Sequence, residues 1–339
     1  MSRRLSRRRA VAGIGAAATF GLAGCTSRLN ELGGGGTNNL RMATSTSDTS
    51  AYQMSQGIAA VVNEKSDSIN LDARPSDGAK QSMRLMDKGE LDMAYTDTLN
   101  AHKIVNEEGE YADDPFDSEI QQVFHYYDIQ GGLVSRKSSG IETVNDLAGR
   151  AVSPNPVGTA MRDVMMTHLS HAEGADKMDQ LALGYGEEAS ALKQGRADVV
   201  TDIRINAQLT PSYVQEQYSI VDDAWLLHWP DDVVESIKGD DRVNGSYYPA
   251  SEMEGPEYGD RSEEWWTDTV YVVFTKASVP ADPIYELLST MWENMEELAE
   301  YHALAGAWAD KSFLSGKLNP NIPLHDGAKK FFDEIGASY

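Results

Sequence analysis

Four short polar loops carry the side chains of this 339-residue chain best suited to hold a ligand. The first, residues 43–52, reads Ala-Thr-Ser-Thr-Ser-Asp-Thr-Ser-Ala-Tyr and offers the hydroxyls of Ser45, Thr46, Ser47, Thr49, Ser50 and Tyr52 just ahead of an amphipathic segment. Hydroxyls and free backbone N–H groups at a helix N-terminus suit an anion, because the helix dipole adds partial positive charge there. The same residue types also cap a helix by accepting its first unpaired N–H groups. The second loop holds Arg74, Ser76 and Asp77, the third Thr96 and Asp97, and the fourth Asn155, Val157, Gly158 and Thr159. Arg74 and Arg204, each at a strand end, are the candidate charge partners, since a guanidinium can grip a carboxylate with two parallel hydrogen bonds.

Enzymatic chemistry finds less to work with. His168 and His171 lie three apart on an expected helix, but no third ligand follows at metal spacing, so they read as a solvated helix face. The chain has no G-x-S-x-G, P-loop or G-x-G-x-x-G pattern, and its one cysteine, Cys25, lies in the N-terminal segment. The chain reads as a binding protein without catalytic residues, cofactor or metal.

The loops fall between elements that alternate in an α/β pattern. Strands are expected at residues 40–43, 69–73 and 91–95, and helices at 51–63 and 78–87, which makes a βαβαβ unit with a parallel sheet. Strand segments at 122–127 and 132–135 leave this lobe. A second unit follows, with strands at 150–153, 180–183 and 198–201 and helices at 159–171, 187–194 and 207–216. Residues 231–264 read as a short helix and an irregular excursion, 269–275 as a returning strand, and 283–301 and 326–335 as helices. In an open α/β sheet ligands gather at the carboxyl ends of the strands, where all four loops stand.

Charge narrows the partners. The chain has 53 Asp+Glu against 29 Lys+Arg, a formal net charge of −24. Residues 1–24 hold five arginines and no acid, so the rest carries 24 basic and 53 acidic groups, or −29. A surface of that sign repels nucleic acid and suits a protein kept hydrated in concentrated salt, where screening acts over a few ångströms. The arginines, in Ser2-Arg3-Arg4 and Ser6-Arg7-Arg8, precede an uncharged stretch at 10–23, too short to span a bilayer, which ends in Leu22-Ala23-Gly24-Cys25. This is the order of a twin-arginine lipoprotein signal peptide (1–24), with Cys25 as the lipid attachment point and a Gly-rich tether over 25–39.

Several motifs together resemble the TAXI-type solute receptors of TRAP transporters across roughly residues 40–332. They are LRMATSTSDTSAYQMSQGIAAVVN, RLMDKGELDMAYTDT, IETVNDLAGRAVSPNPVGTAM, ALKQGRADVVTD, the 283–301 helix and the closing Asn321-Ile322-Pro323-Leu324-His325-Asp326-Gly327-Ala328. The resemblance implies a periplasmic-binding-protein-like (type II) α/β clamshell, with two lobes (40–128 plus 270–339, and 129–269) joined by two crossing strands. It implies a receptor outside the cytoplasm, lipid-anchored at the membrane, that captures a small carboxylate (a glutamate-like amino acid, a dicarboxylate or a 2-oxo acid) and delivers it to a TRAP permease. The four loops are where that family holds its ligand. The first departs from the family's glycine-rich form and includes Asp48, which opposes an anion. A sensing or scaffold lipoprotein of the same fold is the alternative.

Overall fold

The computed structural model describes residues 37–339 apart from Asp48, Met253 and Glu254. The targeting segment, Cys25 and most of the expected tether lie outside the described residues.

The chain opens with β1 (Asn38–Ala43), α1 (Ser50–Lys65), β2 (Ile69–Arg74), α2 (Ala79–Asp87), β3 (Met93–Asp97) and α3 (Thr98–Val105), then enters β4 (Ile120–Arg136). It continues through β5 (Ala151–Val152), α4 (Ala160–Leu169), β6 (Asp179–Gln180), α5 (Tyr185–Lys193), β7 (Val199–Ile205), α6 (Ser212–Ile220), β8 (Ala224–Leu226), α7 (Asp231–Lys238) and β9 (Asn244–Pro249). It closes with β10 (Glu263–Lys276), α8 (Ala281–Glu293), α9 (Met295–Tyr301), α10 (Lys311–Leu314) and α11 (Asp326–Ile335). The strands lie in the order β2-β1-β3-β10-β4-β7-β5-β6, with β8 on β4 and β9 on β10.

β1 runs parallel to β2 and β3, and β5 parallel to β6 and β7, the pairings of two βαβ units. Between them β4 and β10 run antiparallel along a register from Thr267↔Gly131 to Lys276↔Ile120. These long strands cross from one parallel unit to the other, so the fold is a clamshell of two α/β lobes joined by two strands. Helices cover both faces of each half. Leu40, Met42, Ile58 and Val62 pack with Leu287, Met291, Trp308 and Phe332, so the last helices complete the first lobe. Met83, Met86 and Ala94 fill its other face with Phe274. In the second lobe Val152, Val164 and Leu169 pack with Trp229, and Leu192 and Val200 with Trp266.

The structure departs from the sequence expectations in several places. The 122–127 and 132–135 segments are one 17-residue strand. Gly131 and Gly132 interrupt its apolar pattern because the partner strand crowds them: a Cβ on Gly132 would lie 2.8 Å from the Trp266 ring and 3.0 Å from Leu226. We expect Gly132→Ala to lower stability by about 1–3 kcal/mol through overpacking; an unchanged denaturation midpoint would show that the strands separate easily. α3 was not expected, and α6 starts five residues later than the reading of 207–216, because positive φ at Asn206 and Ala207 forms a turn and Pro211 leads into the helix. The 283–301 helix is two helices, with Asn294 at φ −128° and its amide donating to Thr290 O at 2.8 Å. Within the 231–264 excursion stand α7, β9 and the start of β10.

Candidate functional site

The carboxyl ends of β1, β2 and β3 place the first three loops side by side. Ser45 adopts φ +81° and is buried; its N–H donates to Ser76 Oγ at 3.2 Å, and its carbonyl accepts from the Ser76 N–H at 3.2 Å. Ser76 also shares a 2.7 Å hydrogen bond with Ser82, and the Ser45 side chain meets the Tyr95 hydroxyl. The first and second loops are thus locked together over the end of β3. Thr49 caps α1 by accepting the Tyr52 N–H at 3.2 Å, and Asp97 caps α3 by accepting the Asn100 N–H at 2.9 Å. Thr96 accepts the Asn100 side-chain amide at 2.9 Å, and burial raises the Asp97 carboxyl. Thr46 and Ser47 are exposed, Ser50 and Tyr52 half-buried. Asp77 is exposed and exchanges hydrogen bonds with Gln81 at the start of α2.

The fourth loop belongs to the other lobe. Thr159 caps α4, accepting the Arg162 N–H at 3.2 Å, and its side chain contacts the Tyr185 hydroxyl. Val157 is 66% exposed, and Gly158 follows at φ +86°. Asn155 is buried at φ +76°, with its carbonyl held by Arg162 Nη1 at 2.7 Å.

Contacts across the cleft bring the lobes together at this level. Asp163 on α4 lies 3.9 Å from Lys80 on α2 and 3.8 Å from Lys103 on α3. Asn244 of β9 donates its amide to Thr98 Oγ1 at 3.1 Å.

Sequence reasoning missed the tyrosines. Tyr127 and Tyr271 face each other in the β4–β10 register and stack with ring centroids 4.6 Å apart, while Tyr95 meets Tyr271 edge-on at 6.0 Å. Tyr185 and Tyr213 stack at 4.8 Å in the second lobe. Burial pushes the Tyr95 and Tyr185 phenols up to about 12, so these hydroxyls stay neutral at physiological pH. Period-two placement within the crossing strands is the signal that points to Tyr127 and Tyr271, once those strands are known to span the cleft.

The two arginines are engaged by the chain itself. Arg74 is exposed and ion-pairs with Asp72, two residues back on the same strand, at 2.6 Å. Arg204, 2% exposed, pairs with Asp202, again two residues back, and lies 5.8 Å from the Tyr218 ring and 5.6 Å from the Trp266 ring. Tyr218 donates to the same aspartate, whose carboxyl burial raises even beside the guanidinium. With both arginines paired, the loops present hydroxyls, backbone N–H groups and the Asn155 amide beside the carboxylates of Asp77 and Asp97. The histidines also differ from expectation. His168 is fully buried, donates from Nδ1 to Val164 O at 2.9 Å and meets the Trp229 ring edge-on, whereas His171 bonds Ser236 and Asp240. His325 caps α11, accepting the Gly327 N–H at 3.2 Å and donating to Val279 O at 2.9 Å.

The sequence model of the NMT1-like family matches residues 42–336. Among solved structures, XAC2383 from Xanthomonas citri bound to ATP has a TM-score of 0.50 at 11% identity, over 88% of this chain and 96% of that one. The periplasmic sulfonate-binding protein SsuA of Methylobacillus flagellatus KT has a TM-score of 0.47 at 13% identity, over 87% and 76%. The aliphatic sulphonate binding protein SsuA of Escherichia coli has 0.43 at 11%, over 90% and 95%. No curated protein matches the chain. At these identities the likeness concerns the fold. Among the described residues no helix is long and apolar enough to cross a membrane.

Proposed function

The chain belongs to the NMT1-like family, and on that footing we propose that it is a solute-binding receptor acting outside the cytoplasm, which captures a small carboxylate between its lobes. The observation that carries the reading is that both lobes contribute capped helix N-termini and neutral hydroxyls, and that Asp163 in the first turn of α4 faces Lys80 and Lys103 of the first lobe. α1 and α3 come from the first lobe, and α4 from the second, tied to it by Asp163. Helix N-termini and hydroxyls stabilise a carboxylate without a dedicated cation, which fits a site whose two candidate arginines are already paired. Contacts that a ligand makes with both lobes favour the closed state over the open one.

The finer reading is a receptor of the TAXI type delivering its solute to a TRAP permease, with lobes at 40–128 plus 270–339 and at 129–269. Its ligand loops are those of Ser45, Ser76, Thr96 and Asn155, and a lipid at Cys25 holds it at the membrane. The motifs along the chain, the lipobox-like Leu22-Ala23-Gly24-Cys25 and the acidic balance support it.

A thermal-shift screen of the purified protein in concentrated salt, against amino acids, dicarboxylates and 2-oxo acids, tests the proposal. A solute at about 100 times its Kd adds about 2.7 kcal/mol, and at about 2–4 °C per kcal/mol for a chain of this size the midpoint rises by roughly 5–10 °C. If no carboxylate moves the midpoint and disrupting the chain leaves carboxylate uptake intact, the receptor reading fails.

A further inference from the structure

Asn155 holds a buried amide that the chain does not use. The residue is 1% exposed, and neither its Oδ1 nor its Nδ2 has a hydrogen-bond partner. Because both atoms are unpaired, exchanging them by a flip of the amide changes nothing. Its backbone conformation does not depend on the side chain: the positive φ is one that Asn adopts readily, and Arg162 fixes the carbonyl. A buried polar group left unpaired pays its desolvation with no return. The loop joins the end of β5 to α4, whose first turn holds Asp163, the residue that faces Lys80 and Lys103 of the first lobe.

An amide presents one acceptor beside one donor. A carboxylate, or a 2-oxo acid, presents acceptors only, and leaves Oδ1 as bare as before. An acid with a hydroxyl or an ammonium on its α-carbon presents a donor next to its carboxylate oxygens and can satisfy both atoms. Resting on the receptor reading, we infer that Asn155 sets the solute class: an α-hydroxy or α-amino acid, selected over the 2-oxo acid of the same skeleton.

The test compares matched solutes on the full chain by calorimetry: lactate, alanine and pyruvate, then 2-hydroxyglutarate, glutamate and 2-oxoglutarate. The donor-bearing members of the series that binds are expected to bind about 10- to 100-fold more tightly than the 2-oxo member, the penalty for one unpaired buried polar group. The hydroxyl and ammonium arms separate the two donor types. Asn155→Gly keeps the positive φ and breaks no side-chain hydrogen bond, so the ligand-free melting temperature stays within about 2 °C while the preference collapses. A 2-oxo acid that binds as tightly as its partners overturns the inference and leaves the receptor reading standing. So does an Asn155→Gly protein that melts early with its preference intact, because the amide is then structural. Absence of binding by every acid overturns both.

Discussion

Replacing Lys317 by Met is expected to destabilise the protein by about 3–5 kcal/mol, because two buried carboxylates lose their shared cation. Lys317 Nζ reaches Asp128 Oδ2 at 2.5 Å and Asp268 Oδ2 at 3.1 Å, and both carboxylates are almost wholly buried. Asp128 stands on β4 and Asp268 on β10, so a residue following α10 ties the two crossing strands at the point where the lobes meet. The remaining lone pairs are filled. Asp268 accepts from Gln130 at 3.0 Å, Ser246 at 2.8 Å and Tyr248 at 3.1 Å. Asp128 is met by His125 Nε2 at 2.6 Å, and His125 Nδ1 faces Phe313 O at 2.9 Å. Burial alone would raise the Asp128 carboxyl; the charges of His125 and Lys317 reverse this and hold it below the usual range. Burial opposes the Lys317 charge, and the two aspartates overcome that and raise it.

Methionine keeps the length and apolar stem of lysine, so the loss reports the charge. The thermal midpoint should fall by about 10 °C for a chain of this size. Removing the carboxylates as well, in Lys317→Met with Asp128→Asn and Asp268→Asn, should recover much of the loss, since the cost is that of bare buried charge rather than of a missing bond. A single variant within about 1 kcal/mol of the parent would show that water reaches these groups and the strands are not clamped.

Much of the fold was legible because its signals are local. Apolar runs bounded by polar loops marked β1, β2 and β7, and the apolar faces of α1 and α2 marked the helices between them. The break at Asn294 was not, because apolar spacing from Leu287 to Leu298 runs through it and only the φ of one residue interrupts the helix. α3 was hidden by its mixed sequence, Thr-Leu-Asn-Ala-His-Lys-Ile-Val, in which Thr98, Asn100 and His102 are buried along with the apolar residues. At the site, the hydroxyl loops were visible, but composition does not separate a cap from a ligand contact, and Thr49, Asp97 and Thr159 do serve as caps. The pairing of the arginines was readable in principle: alternation puts residues i and i+2 on one face of a strand, and each arginine follows an aspartate by two, Asp72 before Arg74 and Asp202 before Arg204. The tyrosine stack was not, because it depends on a register between strands far apart in sequence.

Stability should vary with pH through two buried groups whose effects oppose each other. Glu188 on α5 is 2% exposed and takes hydrogen bonds from Ser153 and Thr201, each at 2.7 Å. Burial pushes its carboxyl from an ordinary 4.5 up to about 7, and the two hydroxyls temper the rise. The native state then holds a proton that the unfolded chain has released, so stability falls as pH rises from about 4.5 to about 7, by up to roughly 3 kcal/mol. His168 works the other way. Burial lowers it from 6.5 to about 4, so its stabilising neutral state is fully present above 6.5 and lost as pH falls toward 4, at a similar cost. Between about 4.5 and 6.5 these two slopes oppose each other, and the raised Asp97 and Asp202 carboxyls add to the descending side. Glu188→Gln keeps the shape and can bond both hydroxyls; it should gain about 1–3 kcal/mol at pH 8 and give a slope over pH 4.5–6.5 more positive than the parent's. His168→Gln should give a more negative one. Urea titrations across pH 4.5–8 decide the matter: if Glu188→Gln gains nothing at pH 8, or its slope over pH 4.5–6.5 equals the parent's, Glu188 is ionised at little cost and the Ser153 and Thr201 hydroxyls solvate the carboxylate.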